Sequence, residues 1–230
     1  MTKENIFLET LKIDGGKIHL LELHKRRMAR TCGEFFGSGP NFELGPALPD
    51  PGRLRGRHKL RVTYGLELVK IETEPYKFRE IDSLEIVAAD GLDYSHKFLD
   101  RGELEALRKN SPADDVVISQ NGFLTDSSFA NLVFQNEEGL FTPEKCLLPG
   151  VKRESLLALG LITARPIRVS ELNLYDRVLL INAMTDLEDD RGVDVGKIFG
   201  PTGGQGRGRP ASRNYFRPET FPAKKENEDE

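Results

Sequence analysis

Residues 121–153 read NGFLTDSSFANLVFQNEEGLFTPEKCLLPGVKR, and the fold is decided in this stretch. Asn121-Gly122 is a tight-turn dipeptide between two apolar runs, 116–119 and 123–124, so residues 115–125 read as a β-hairpin. The chain then passes through Asp126-Ser127-Ser128 into a second strand at Leu132-Val133-Phe134 and turns at Glu137-Glu138-Gly139. A carboxylate between two strands, flanked by hydroxyls, does not suit a solvated face. Further on, Leu147-Leu148-Pro149-Gly150 leads into Val151-Lys152-Arg153, the first turn of a helix running to about Gly160. Free N–H groups and the positive end of the helix dipole make such a start a ready anion site. Asp126, Asn131 and that backbone site are thereby brought close together, which is the layout of a binding site.

Upstream, residues 6–13 (IFLETLKI) show a strand pattern, and Asp14-Gly15-Gly16 is a hairpin turn into residues 17–20. Residues 21–36 read as a helix, with Leu21, Met28, Cys32 and Phe35 as its apolar stripe and His24 and Arg27 sharing a face. Taken alone, Lys25-Arg26-Arg27 reads as a solvated helix face. Residues 37–56, with four prolines, read as a loop containing one helical turn around 41–44. Residues 59–64, 66–73 and 84–89 read as strands of one sheet with the first. Arg61 is a candidate for holding a substrate carboxylate or for a strand-edge role. The punctuation at 88–93 marks a boundary, after which Lys97 and Arg101 lead into a helix over about 102–109. Residues 164–169 and 177–181 read as further strands, Ser170 caps a short helix, and the acidic run 186–191 reads as solvated. Residues 201–230 lack periodicity and are rich in Gly, Pro and charge, so a disordered tail is expected there.

Composition bounds the function classes. Hydrophobic residues at 38% and charged residues at 30% are those of a globular protein, and the net charge of −4 argues against a nucleic-acid-binding body. No run reaches the roughly 18 apolar residues of a transmembrane helix. The N-terminus shows no basic-then-apolar signal segment, so a cytoplasmic location is expected. The two cysteines need no disulfide, and with four histidines at unsuitable spacings they suggest no metal site.

The string GFLTDSSFAN at 122–131, followed by LFTP and LLPGVKR, resembles the signature of the class IV aminotransferases. These are the pyridoxal-phosphate enzymes that include branched-chain and D-amino-acid transaminases and aminodeoxychorismate lyase. FLETLKIDGGKIHLLELHKRRM at 7–28 is similar to the N-terminal segment of the same family: an F-E-T strand, a D-G turn, and H-x-x-R on the first helix. The resemblance implies a two-domain α+β fold of fold type IV, like D-amino-acid aminotransferase. Residues 1–90 and 91–200 would form the domains, with pyridoxal 5'-phosphate in the interdomain cleft.

It also implies roles residue by residue. Lys97, in a K-x-x-x-R segment with Arg101, would form the Schiff base. Asp126 would hold the pyridine nitrogen protonated. Arg27, the amides of Val151 and Lys152, and Thr185 or a neighbouring amide would bind the phosphate. Tyr64, Tyr94 and Asn131 are candidates for shaping the pocket at the cofactor face. Two positions depart from the family pattern: Asp126 stands where most members carry Glu and reaches one methylene less, and Lys152 stands where many carry Thr. A homodimer acting on a small-molecule amino acid by amino-group transfer is expected, with 4-amino-4-deoxychorismate lyase as the alternative. A second alternative is a non-catalytic member whose Gly-Arg tail associates with RNA.

Overall fold

The computed structural model describes residues 5–200. The tail expected over 201–230, and with it the RNA-associating alternative, lies outside the described residues.

The N-terminal half is built on the two-residue period of its strands. Along β1 (Phe7–Asp14), Phe7, Leu11 and Ile13 point to one face, where they pack with Met28 and Cys32 of α1 (Leu21–Phe36). Glu9 shares that parity, so a carboxylate is carried into the apolar layer, while Leu8 and Thr10 point the opposite way. The helix stops at Gly37, whose left-handed backbone (φ 74°) sends its N–H to Gly33 O at 3.1 Å. β2 (Lys17–Ile18), β3 (His58–Tyr64) and β4 (Leu68–Pro75) complete an antiparallel sheet in the order β2-β1-β3-β4. The helical turn in the intervening loop is α2 (Leu44–Ala47), three residues later than expected. Leu60, Val62 and Tyr64 of β3 join the apolar layer under α1, and Lys59, Arg61 and Thr63 take the other face.

The second sheet begins earlier than the sequence suggests. β5 (Leu84–Ala88), expected beside β3 and β4, pairs instead in parallel with β6 (Asp115–Gln120), so sheet membership changes between Pro75 and Leu84, ahead of residue 90. The crossover between these two strands carries α3 (Gly102–Asn110), whose Leu104 packs with Val116 and Ile118. The hairpin from β6 to β7 (Phe123–Ser127) forms as read, with Asn121 (φ 51°) and Gly122 (φ 77°) both left-handed, as a type I′ turn requires. β8 (Asn131–Asn136) and β9 (Gly139–Pro143) follow, then α4 (Val151–Ala158) and β10 (Thr163–Arg165), which pairs in parallel with β9 and ends at Pro166. β11 (Arg177–Ile181) lies antiparallel to β8 and to β12 (Gly192–Asp194). β13 (Ile198–Phe199), a strand too short for any sequence pattern, closes the β5 edge.

The acidic run at 186–191 departs from its expected solvated role. Asp186 binds both Lys12 of β1 and Lys152 of α4, and Asp189 accepts from Arg57 at 2.5 Å. Burial alone pushes the Asp186 carboxyl up, but the two ammonium groups outweigh it and bring it down to about 2. Acidic residues here tie the two sheets together.

Candidate active site

The segment that carries Lys97 has no regular structure of its own and is held by its neighbours. Leu8 N–H donates to Lys97 O and Leu99 N–H to Ile6 O, both at 2.9 Å, so β1 grips the lysine peptide from both sides. Phe98 packs against Phe7 at 5.2 Å between ring centroids, and Tyr94 Oη donates to Phe98 O at 3.0 Å. The Lys97 side chain thereby enters a cleft of about 250 Å³ shared by both sheets. Burial, and then the charges of Arg27, Arg101 and Arg61 against a smaller opposing effect of Glu9, lower its pKa from 10.5 to about 7. A neutral amine is therefore present near neutral pH.

Arg27 lines the same cleft from α1. Its Nε donates to Glu9 Oε1 at 2.8 Å and Nη2 to Glu9 Oε2 at 2.5 Å, a two-pronged pair in which Glu9 is fully buried. His24 Nδ1 meets Glu9 Oε2 at 2.6 Å, and Arg27 Nη1 donates to Pro149 O at 3.3 Å. Burial raises the Glu9 carboxyl, yet Arg27 and His24 outweigh it and hold it at about 2. Glu9 had no assigned role in the sequence, although its place in an otherwise apolar parity (Phe7, Leu11, Ile13) was a readable signal.

Asp126, one residue before the end of β7, faces the cleft opposite Asn131, its ladder partner on β8. Asn131 Nδ2 donates to Asp126 Oδ1 at 2.8 Å and to Leu148 O at 2.9 Å, while Leu148 N–H donates to Asp126 Oδ2 at 2.9 Å. Burial raises the Asp126 carboxyl to about 6 against these donors and the charge of Arg153. Asn131, expected at the pocket face, spends its amide on positioning Asp126. That arrangement explains Gly150: a Cβ there would overlap Asn131 Oδ1. Gly150→Ala is expected to push Asn131 off Asp126 and cost about 1–3 kcal/mol of stability, measurable by urea denaturation, together with weaker binding of any ligand that contacts Asp126. Wild-type stability in this variant would contradict the arrangement.

Arg153 joins α4 to the L-F-T-P strand, donating from Nε to Thr142 Oγ1 at 3.2 Å and from Nη2 to Pro143 O at 2.8 Å. Val151, at the start of α4, lines the cleft, as does the turn Asn182-Ala183-Met184 after β11. Three expected residues do not face it. Tyr64 is buried in the apolar layer against Phe7 and Phe42, following its strand parity. Thr185 lines a separate cavity beside Tyr76 and Phe78. The Lys152 ammonium is taken by Asp186, which leaves only its first-turn amide for the anion site. Tyr94, Arg61 and Arg101 do line the cleft.

The family model for amino-transferase class IV matches residues 65–187, more than half of the chain. The chain belongs to the class IV aminotransferases. Among curated proteins, an uncharacterized protein of Haemophilus influenzae is 32% identical over 183 residues, covering 78% of this chain and 97% of that protein. Among solved structures, a provisionally named 4-amino-4-deoxychorismate lyase from Haemophilus somnus is 29% identical with a TM-score of 0.69, over 80% of this chain and 98% of its own. A hypothetical aminotransferase from Mycobacterium tuberculosis in its PLP-bound form has a TM-score of 0.68 at 18% identity, over 85% and 82% of the two chains. The fold is that of the fold-type IV enzymes, and within this class IV chain no helix among the described residues is long and apolar enough to cross a membrane.

Proposed function

We propose that this class IV aminotransferase binds pyridoxal 5'-phosphate in the Lys97 cleft and acts at the α-carbon of an amino acid, as a cytoplasmic homodimer whose two domains part between Pro75 and Leu84, where sheet membership changes, rather than at residue 90. The observation that carries the reading is the juxtaposition in one cleft of a lysine lowered to about 7, a buried carboxylate, and a guanidinium beside a helix start. The donor set fits the cofactor: Arg27 and the first-turn amides of α4 suit a phosphate, and Asp126 keeps lone pairs for a protonated ring nitrogen.

When bound, pyridoxal phosphate supplies an electron-accepting ring conjugated to the carbon that carries the substrate nitrogen. Lys97 Nζ, neutral above about pH 7, is the group that would hold the cofactor covalently and would take the proton from the substrate α-carbon. Asp126, oriented by Asn131 and Leu148 N–H, would hold a proton on the ring nitrogen. Glu9 fixes the Arg27 fork so that Nη1 stays on the Pro149 side, next to the start of α4. Of the two options at the turn after β11, the Thr185 side chain or a neighbouring amide, an amide of the cleft-lining Ala183 and Met184 would serve the phosphate.

Amino-group transfer and aminodeoxychorismate cleavage both begin with that proton removal. The lyase reading is favoured as the second one by the 29% identity, over 98% of its length, to the provisionally named lyase. Incubating the cofactor-loaded protein separately with amino acids plus a keto acid and with 4-amino-4-deoxychorismate tests both. A new amino acid indicates transfer; pyruvate with an aromatic amine indicates the lyase. Neither product from any substrate, in protein that carries the cofactor, would overturn the enzymatic reading.

A further inference from the structure

The turn after β11 lines the cleft through Asn182, Ala183 and Met184 but is irregular backbone, so something must fix its position. Within the turn, Met184 N–H donates to Asn182 Oδ1 at 2.8 Å and Thr185 N–H to Asn182 O at 3.1 Å, which leaves Ala183 N–H as the amide it has to offer. These bonds shape the turn without tying it to its surroundings. Arg57, the residue before β3, supplies the tie. Its Nη1 donates to Met184 O at 3.0 Å and to Asp189 Oδ2 at 2.5 Å, and its Nε donates to Asp14 Oδ2 at the end of β1 at 3.0 Å. Asp189 Oδ2 also accepts Asp186 N–H at 2.8 Å, and the Asp186 carboxylate engages Lys12 of β1 and Lys152 in the first turn of α4. The Arg57 guanidinium lies 5.1 Å from the centre of the Phe78 ring, in the segment that joins β4 to β5, and Arg191 lies 5.0 Å from the same ring. The Arg57 and Asp189 side chains are 19% and 16% exposed, so water screens their pairing only in part. Arg57 itself does not line the cleft.

We propose that Arg57 is a positioning residue for the phosphate end of the site: by holding Met184 O and Asp189 against β1, it keeps the Ala183 amide on the cleft wall that also carries Gly150 and Val151. Affinity for the phosphate group, and not the reactivity of Lys97, then depends on Arg57. The inference rests on the cofactor reading. Two features separate it from plain stabilisation by an ion pair. The bond to Met184 O reaches the backbone of the cleft-lining turn, which pairing with carboxylates does not require. The fork also meets that carbonyl and two carboxylates on different elements at once, which the single ammonium of lysine cannot reproduce in the same geometry. Because Asp14 belongs to the first sheet and Met184 and Asp189 to the second, the anion site is complete only with the two sheets docked.

Pyridoxal phosphate and pyridoxal share the ring and the aldehyde and differ at the phosphate, which makes the pair a suitable probe. Both are titrated into cofactor-free protein and followed by visible absorption, in wild type, R57Q, R57K, D189N and D14N; the internal hemiacetal of pyridoxal cancels when variants are compared. R57Q is expected to bind pyridoxal phosphate about tenfold more weakly than wild type, the equivalent of one charge-assisted hydrogen bond, with pyridoxal affinity nearly unchanged. D189N, which leaves every cation in place, should move the same ratio in the same direction and reads the tie even if R57Q folds poorly. R57K should recover part of the ratio, and D14N should keep most of it, since both Nη1 contacts remain. An unchanged ratio in R57Q and D189N would overturn the proposal. So would an equal loss of both ligands, since Arg57 would then serve only the stability of the fold. A wild type that gives no absorption band with either aldehyde would overturn the cofactor reading and this inference with it, whereas a wild-type band with an unmoved ratio overturns this inference alone.

Discussion

Lys97→Ala is expected to abolish covalent attachment of pyridoxal phosphate and to lower turnover by at least about 10³-fold, because the same amine attaches the cofactor and moves the α-proton. The fold should survive, since β1 holds this segment through the Lys97 carbonyl and the Leu99 amide, neither of which needs the side chain. A pH signature accompanies it. With the Lys97 pKa lowered to about 7, only the fraction of neutral amine can react below that value. The rate at which wild type captures pyridoxal phosphate should therefore rise about tenfold per pH unit up to about pH 7 and level off above it. A rise continuing to pH 10 would mean an ordinary, solvated lysine. Near-wild-type turnover of the alanine variant would remove Lys97 from the chemistry.

Glu9→Gln is expected to be the most damaging change to stability. It removes the carboxylate from a buried cluster in which Arg27 is 7% exposed and Glu9 0%, leaving the guanidinium without its counter-charge. Breaking such a pair from one side costs about 3–5 kcal/mol. The direction with pH follows from the depressed Glu9 value. Folded Glu9 titrates at about 2 and the unfolded group at 4.5, so its contribution is fully present above about pH 4.5 and is lost as the pH falls toward 2. Denaturation of wild type and variant at pH 7 and pH 3 should show a large gap at the first and a smaller one at the second. A pH-independent gap would mean that the loss comes from packing rather than from the ion pair. Pyridoxal phosphate affinity should fall in the same variant, because Arg27 loses the group that orients its fork.

How much of this was legible in the sequence follows from which forces are local. The hairpin at Asn121-Gly122 and helix α1 are set by turn chemistry and by 3.6-residue periodicity, and both form at the residues read. Asp126 was legible because a carboxylate between strands has few stable surroundings. The pairing of β5 was not, since an apolar strand does not state which sheet it joins until β6 offers its edge. Tyr64 could have been read correctly: it shares parity with Leu60 and Val62, the face that packs under α1, while Arg61 lies on the other. Asp186 could not have been. Its partners Lys12 and Lys152 lie on separate elements far away in sequence, and a run such as DLEDDR is solvated unless tertiary contacts collect cations against it. The consequence for the site is specific, since the ammonium of Lys152, whose amide was assigned to the phosphate, is engaged by Asp186.

The central claim, that Lys97 carries the cofactor in this cleft, is tested most directly by a peptide map. The purified protein is incubated with pyridoxal phosphate, reduced with borohydride and digested, and the modified peptide is located by mass spectrometry. The account predicts one dominant adduct, on the peptide containing Lys97. An adduct spread over exposed lysines such as Lys70 and Lys109, or absent from the Lys97 peptide, would contradict it.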